Sequence, residues 1–174
     1  MTHAELQTAF DQHREAVYRF VWRMTSSAAA AEDIAQDVFL SLLRHPARFD
    51  PARGGLRPYL LGVARHLALK RWRDENRWTE LDDEQFVAQP VAVDRGETAA
   101  IVGDAVRSLP PLQREVLILA EYEELSLEEI ARAVGAEIGT VKSRLHRARE
   151  NLRRMLAPLK PVNRVRAISH GTAR

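Results

Sequence analysis

The segment SLEEIARAVGAEIGTVKSRLHRARENLRRML, residues 126–156, restricts its part of the chain to very few folds. Ser126 followed by Glu129 is a capping box, in which each residue satisfies an amide that the first helical turn leaves open. Ile130, Ala131 and Val134 then recur at helical spacing until Gly135, which supplies the left-handed backbone of a tight turn. Beyond it Val141, Leu145, Ala148, Leu152 and Met155 or Leu156 form a second helical seam. The small Ala131 lets the two helices cross closely, with Ile130, Val134, Ile138 and Val141 expected to fill the crossing. This is the pattern of a helix-turn-helix. Residues 137–156 also carry six Lys or Arg against two Glu, most of the basic ones away from the seam.

The amino-terminal part is helical by the same reasoning. Leu6, Phe10, His13, Val17, Phe20 and Met24 mark one face of a first helix. Hydroxyls at 25–27 offer caps for a second, about Ala28 to Arg44, with Ile34, Val38 and Leu42 on one face and Phe39 and Leu43 beside it. His45-Pro46 ends it, and FDPARGG (49–55) reads as a loop. A third helix from about Leu56 to Arg73 tolerates Pro58 in its first turn. Leu60, Leu61, Ala64, Leu67 and Ala68 share one arc of it, while His66, Lys70, Arg73 and Arg77 cluster elsewhere and Arg65 and Trp72 lie at the border. Residues 74–97 break the periodicity, are mostly acidic and contain Pro90, so they read as a linker between two domains. A short helix near Thr98–Ser108 follows. LPP (109–111) then starts a further helix with Leu112, Val116, Leu117 and Leu119 on its apolar side. The expected class is all-α, with two small helical domains joined by a linker.

The formal net charge is only +2, but it is segregated. Residues 51–79 hold seven basic and two acidic side chains, and residues 136–174 hold ten and two. Two basic blocks on amphipathic helices point to two contacts with a polyanion. In a helix-turn-helix the amino-terminal part of the second helix enters the DNA major groove, which places Lys142, Ser143, Arg144, His146 and Arg147 at bases or phosphates. Arg149, Arg153 and Arg154, further along, suit phosphate contact or solubility.

Other classes are poorly supported. There is no Cys, so no disulfide framework or thiolate metal site. The six His are scattered without metal-ligand spacing. No catalytic constellation and no phosphate-binding loop is visible, so neither an enzyme nor a cofactor is expected. No apolar run approaches a membrane span, and MTHAELQTAF lacks the features of a signal peptide. The expected setting is the cytoplasm.

Two motifs in order carry a family resemblance. AEDIAQDVFLSLLR and GGLRPYLLGVARHLALKRWRDENR in the first half, then LPPLQREVLILAEYEELSLEEIARAVGAEIGTVKSRLHRARENLRRML in the second, resemble the extracytoplasmic-function class of bacterial sigma factors over about residues 5–157. The resemblance implies the following roles. Residues 1–75 form a region 2-like domain that docks on core RNA polymerase and engages the promoter −10 element. Residues 76–97 are an acidic linker, 98–157 a region 4-like domain for the −35 element, and 158–174 a flexible tail. Asp33, Gln36 and Asp37 are the polymerase contacts. Tyr59, Arg65, His66, Lys70, Arg71, Trp72 and Arg73 meet the −10 region, where basic groups anchor phosphates and Tyr59 or Trp72 either stacks on a freed base or packs in the core. Thr140, Lys142, Ser143, Arg144, His146, Arg147 and Arg149 meet the −35 element. Leu56 and Tyr59 stand where the family often has a larger aromatic, and Ile138 replaces a common Pro. The implied partners are core RNA polymerase, promoter DNA and an anti-sigma factor, with no small-molecule substrate and no membrane insertion.

Two other classes share parts of this pattern. A helix-turn-helix regulator working without polymerase would leave the docking helix and the basic third helix idle. A sigma-like decoy that binds an anti-sigma factor would have no need of two basic faces.

Overall fold

The computed structural model describes residues 2–75, 88–90 and 98–159, and all regular structure among them is helical. Helix α1 spans His3–Thr25, opened by a capping box between Thr2 and Glu5. Its end is a left-handed Ser26. Helix α2, Ala28–Arg44, starts on Ser27, whose hydroxyl accepts from the Ala30 amide. Two single turns, Pro46–Arg48 and Pro51–Arg53, shape the loop before helix α3, Leu56–Glu75. The second half contains α4 (Thr98–Ser108), α5 (Pro111–Leu117), α6 (Leu127–Val134) and α7 (Ile138–Met155). The last turn of α5 widens over Ile118–Tyr122, where the Glu123 amide donates to the carbonyl of Ile118, five residues back.

Each half has its own helix pairings. α1, α2 and α3 pack on one another, and α5, α6 and α7 do likewise. The halves also meet, α3 lying along α6 while α1 touches α4 and α5. Sequence alone set no orientation between them. The buried apolar residues of both halves, from Phe20 and Leu42 to Leu119 and Ile130, form one continuous cluster. Burying a side chain such as Phe20, which is fully enclosed, contributes about 1.5–3 kcal/mol. The linker expected at 76–97 and the tail at 158–174 lie largely outside the described residues; α3 continues through Asp74 and Glu75.

This contact between halves revises two sequence expectations. α3 buries Leu60, Leu61, Ala64, Ala68 and Leu69, a wider arc than its single seam predicts, because α1 and α2 cover one side and α6 another. Gly62 makes the second contact possible: a Cβ there would stand 3.1 Å from the carbonyl oxygen and 3.3 Å from the Cα of Ala133 in α6. Ile138 leaves the helix-turn-helix crossing. It is the first residue of α7 and 37% exposed, while Ile130, Val134 and Val141 are buried.

Gly135 sits at φ 65°, ψ 40° at the end of α6, with nothing within 4 Å of a built Cβ. The backbone conformation alone therefore sets the cost of a substitution. Gly135→Ala should destabilise the full chain by about 1–2 kcal/mol in urea unfolding, and Gly135→Asn by less, since Asn tolerates this region.

Candidate nucleic-acid interface

Helix α7 is anchored by one face and presents another. Val141, Leu145, Ala148 and Met155 are buried against α5 and α6. Asn151 is also buried, where its side-chain amide donates to Gln113 at 2.8 Å, which fixes the register of α7 on α5. Lys142, Ser143, His146 and Arg147 are exposed on the free side, and Thr140 is half-buried. The Ser143 hydroxyl donates to the Thr140 carbonyl. Arg149 is exposed but held by Glu121 through Nε and Nη2 at 2.9 and 2.6 Å. Arg144 is only 20% exposed and turns inward, 3.9 Å from Glu115.

The expected −10 residues of α3 fall into three groups. His66, Lys70 and Arg73 are exposed. Tyr59 and Trp72 are half-buried, Tyr59 with its ring 5.4 Å from that of Phe49. Arg71 reaches Glu75 at 2.9 Å and Asp33 of α2 at 3.7 Å, joining the −10 candidates to the docking candidates. Arg65 is directed away from solvent. It donates from Nε and Nη2 to the two oxygens of Glu115, at 2.6 and 3.1 Å. Asp33, Gln36 and Asp37 are all exposed on α2, whose opposite face buries Ile34, Val38 and Leu42. Asp37, Tyr59 and His66 line a groove of about 1340 Å³ that runs between the halves to the turn at Gly135. Among the described residues no group of three or more His, Cys, Asp or Glu is placed to hold a metal ion, and no helix is long and apolar enough to cross a membrane.

The comparisons with known proteins follow this geometry. The Sigma-70 region 2 family model matches residues 9–78, and the Sigma-70 region 4 model matches residues 99–152. The chain is 32% identical to the ECF RNA polymerase sigma factor SigW of Bacillus subtilis, over 86% of this chain and 87% of that one. It is 32% identical to SigE of Mycolicibacterium smegmatis over 84% of its own length, and spans 59% of that longer relative. This chain belongs to the ECF sigma factors. Its fold matches the sigma factor RpoE of Bartonella quintana, solved with the anti-sigma factor NepR, at TM-score 0.71 and 25% identity, covering 88% of this chain and 97% of that one.

In this sigma factor the polar groups that join the halves were not singled out from sequence. Glu115 and Glu123 are both fully buried. Arg57 donates from Nη1 to the Glu123 carbonyl at 2.9 Å and from Nη2 to its carboxylate at 2.6 Å, and Arg23 stands 3.9 Å from the other oxygen. The Arg23 guanidinium also lies 4.2 Å above the Tyr122 ring. Arg114 of α5 donates to the carbonyls of Met24, in the last turn of α1, and Leu109. Burial, then the charge of Arg107, lowers the Arg114 pKa to about 10, so it stays charged near neutrality. A signal was present: Leu112, Glu115, Val116, Leu119 and Glu123 occupy one helical stripe. Carboxylates at two positions of an apolar stripe imply buried cationic partners.

His13 of α1 is half-buried beside this cluster; burial, then the charge of Arg57, lowers its pKa. The folded sigma factor thus binds fewer protons at His13 than the unfolded chain, and stability rises with pH in that window. It should be complete above the unfolded value of about 6.5 and decline as pH falls through it, levelling below the folded value. Urea midpoints from pH 7.5 to about 5 should fall less steeply for His13→Gln than for wild type.

Proposed function

We propose that this sigma factor binds core RNA polymerase through α2, directs it to promoters through α3 and α7, and assists strand opening. It acts as an initiation factor rather than as an enzyme, in the cytoplasm beside the polymerase. Residues 1–75 serve docking and the −10 element, 76–97 form the connection, and 98–157 serve the −35 element. Its activity is restrained by an anti-sigma factor, a reading supported by the complex in which the matching RpoE was solved. The observation that carries the proposal is three separate polar surfaces on one chain. α2 exposes Asp33, Gln36 and Asp37, α3 exposes His66, Lys70 and Arg73, and α7 exposes Lys142, Ser143, His146 and Arg147, while the apolar faces beneath them are buried. A duplex-binding regulator has no use for the first two, and a decoy has no use for the last two.

The surfaces should fail separately. Asp37→Lys with Gln36→Ala should abolish co-purification with core polymerase at unchanged thermal stability; retained binding would refute the α2 assignment. Lys142→Ala or Arg147→Ala should weaken −35 recognition by about 1–3 kcal/mol for a base-reading contact. Lys70→Ala with Arg71→Ala should spare that recognition and reduce permanganate reactivity of the −10 region. A premelted template should rescue the second pair of changes and not the first. Equal rescue of both would contradict the division of labour.

A further inference from the structure

Arg114 of α5 carries a charge that no described group balances. Its terminal nitrogens donate to neutral partners, Nη1 to the Met24 carbonyl at 2.6 Å and Nη2 to the Leu109 carbonyl at 2.8 Å. Its Nε is buried and has no acceptor among the described residues. No carboxylate pairs with it among them either, although the guanidinium stays charged near neutrality. The nearby charge of Arg107 has the same sign, and Arg107 is itself held by Asp104. Arg57 and Arg65 each meet a buried glutamate, as cations withdrawn from water ordinarily do. Arg114 is the exception among the arginines that join the halves.

Arg114 also lines a pocket of about 320 Å³, where the start of α5 meets the end of α1, the start of α2 and the last turns of α3. That volume is within the range of small-ligand sites, roughly 300–1,000 Å³. Met24, Leu69, Pro111 and Trp72 give the pocket an apolar wall. Glu75 is the acid among its lining residues, and Arg71 already holds it at 2.9 Å. The Ser27 hydroxyl oxygen accepts from the Ala30 amide at 3.1 Å, and among the described residues its proton is uncommitted. The pocket thus combines one uncompensated cation, two open donors and an apolar wall.

We infer that this pocket binds a small organic monocarboxylate. Its two oxygens take the protons of Arg114 Nε and the Ser27 hydroxyl, and its apolar body rests on Leu69 and Trp72. A carboxylate has the two acceptor atoms that the open donors require, and supplies the missing charge. Phosphate would bring more oxygens than there are donors to meet them, and would set charge against the apolar wall. Water would satisfy Nε but leave the cation unbalanced. The inference stands independently of the promoter assignments.

Benzoate is the probe, with benzamide as its neutral isostere and inorganic phosphate as a compact anion. Calorimetry on the full chain near neutral pH should give one benzoate site with Kd of about 1 mM or below, and binding of benzamide and phosphate at least about tenfold weaker. Benzoate should also shift the indole N–H resonance of Trp72, assigned with Trp72→Phe. Arg114→Gln should weaken benzoate binding by about tenfold or more. Arg114 also ties α5 to Met24 and Leu109, so Pro111→Glu decides the outcome if that variant loses its fold. Pro111→Glu keeps Arg114 and puts a carboxylate on the pocket wall, one helical turn before it and in the first turn of α5, where an acid suits the helix. It should abolish benzoate binding with Tm no lower than wild type. No heat and no Trp72 shift up to about 10 mM benzoate would mean that the pocket holds only water, and would overturn the site. Benzamide or phosphate binding as well as benzoate, or full benzoate binding by Pro111→Glu, would overturn it too. Glu80, Asp82, Asp83, Glu84, Asp94 and Glu97 lie outside the described residues. If benzoate binds only after these acids are replaced by their amides, the counter-ion belongs to the chain itself and the free-ligand site is overturned.

Discussion

The arrangement of the two halves depends on carboxylates placed where water cannot reach them. Glu115 and Glu123 are fully buried, and each is met by arginine from the opposite half. A buried ion pair adds little stability over a well-packed apolar pair, because desolvating both charges offsets most of their attraction. Removing one partner is another matter, and typically costs about 3–5 kcal/mol. These pairs therefore act less as glue than as a condition: the halves close in the register that brings Arg57 and Arg65 to their acids. Two purely apolar faces would close more firmly and with less selectivity. Such faces would also give up their contact less readily to a competing polyanion.

Much of the fold was legible because it is written in local signals. The Ser126–Glu129 capping box, the left-handed Gly135 and the Ser27 cap stand where the pattern of residues places them. The α7 seam also holds, apart from Leu152, which is half-buried. What was not legible depends on residues distant in sequence. Leu69 is buried in α3 near Met24, Ala30 and Pro111 of three other helices, and the crossing of α3 with α6 depends on Gly62 meeting Ala133, seventy-one positions apart. Ile138 leaves the crossing because the first turn of α7 points past it, which spacing within one helix does not reveal.

The candidate site divides along the same line. Residue type and helical phase were enough to place Lys70, Arg73, Lys142 and Arg147 on exposed faces. The same reasoning treated Arg65 and Arg144 as equivalent to them, since a basic residue at the border of a seam carries no mark of its partner. Their difference appears only when Glu115 is placed between them. The stripe Leu112, Glu115, Val116, Leu119, Glu123 held the warning, and an acid on an apolar stripe is a pointer to a partner elsewhere in the chain. Charge that lies on a surface and charge that lies at a joint thus have different work to do. The exposed set is the one proposed to meet polymerase and DNA, and the buried set joins the two halves.

The most direct measurement is to map the 5′ ends of transcripts made in vitro by core RNA polymerase on genomic DNA of the organism that encodes the chain, with and without the purified protein. A working sigma factor should convert scattered ends into discrete start sites preceded by two shared sequence blocks near −10 and −35. Those sites should vanish with Asp37→Lys and Gln36→Ala. Identical, scattered ends with and without the chain would contradict its role in initiation.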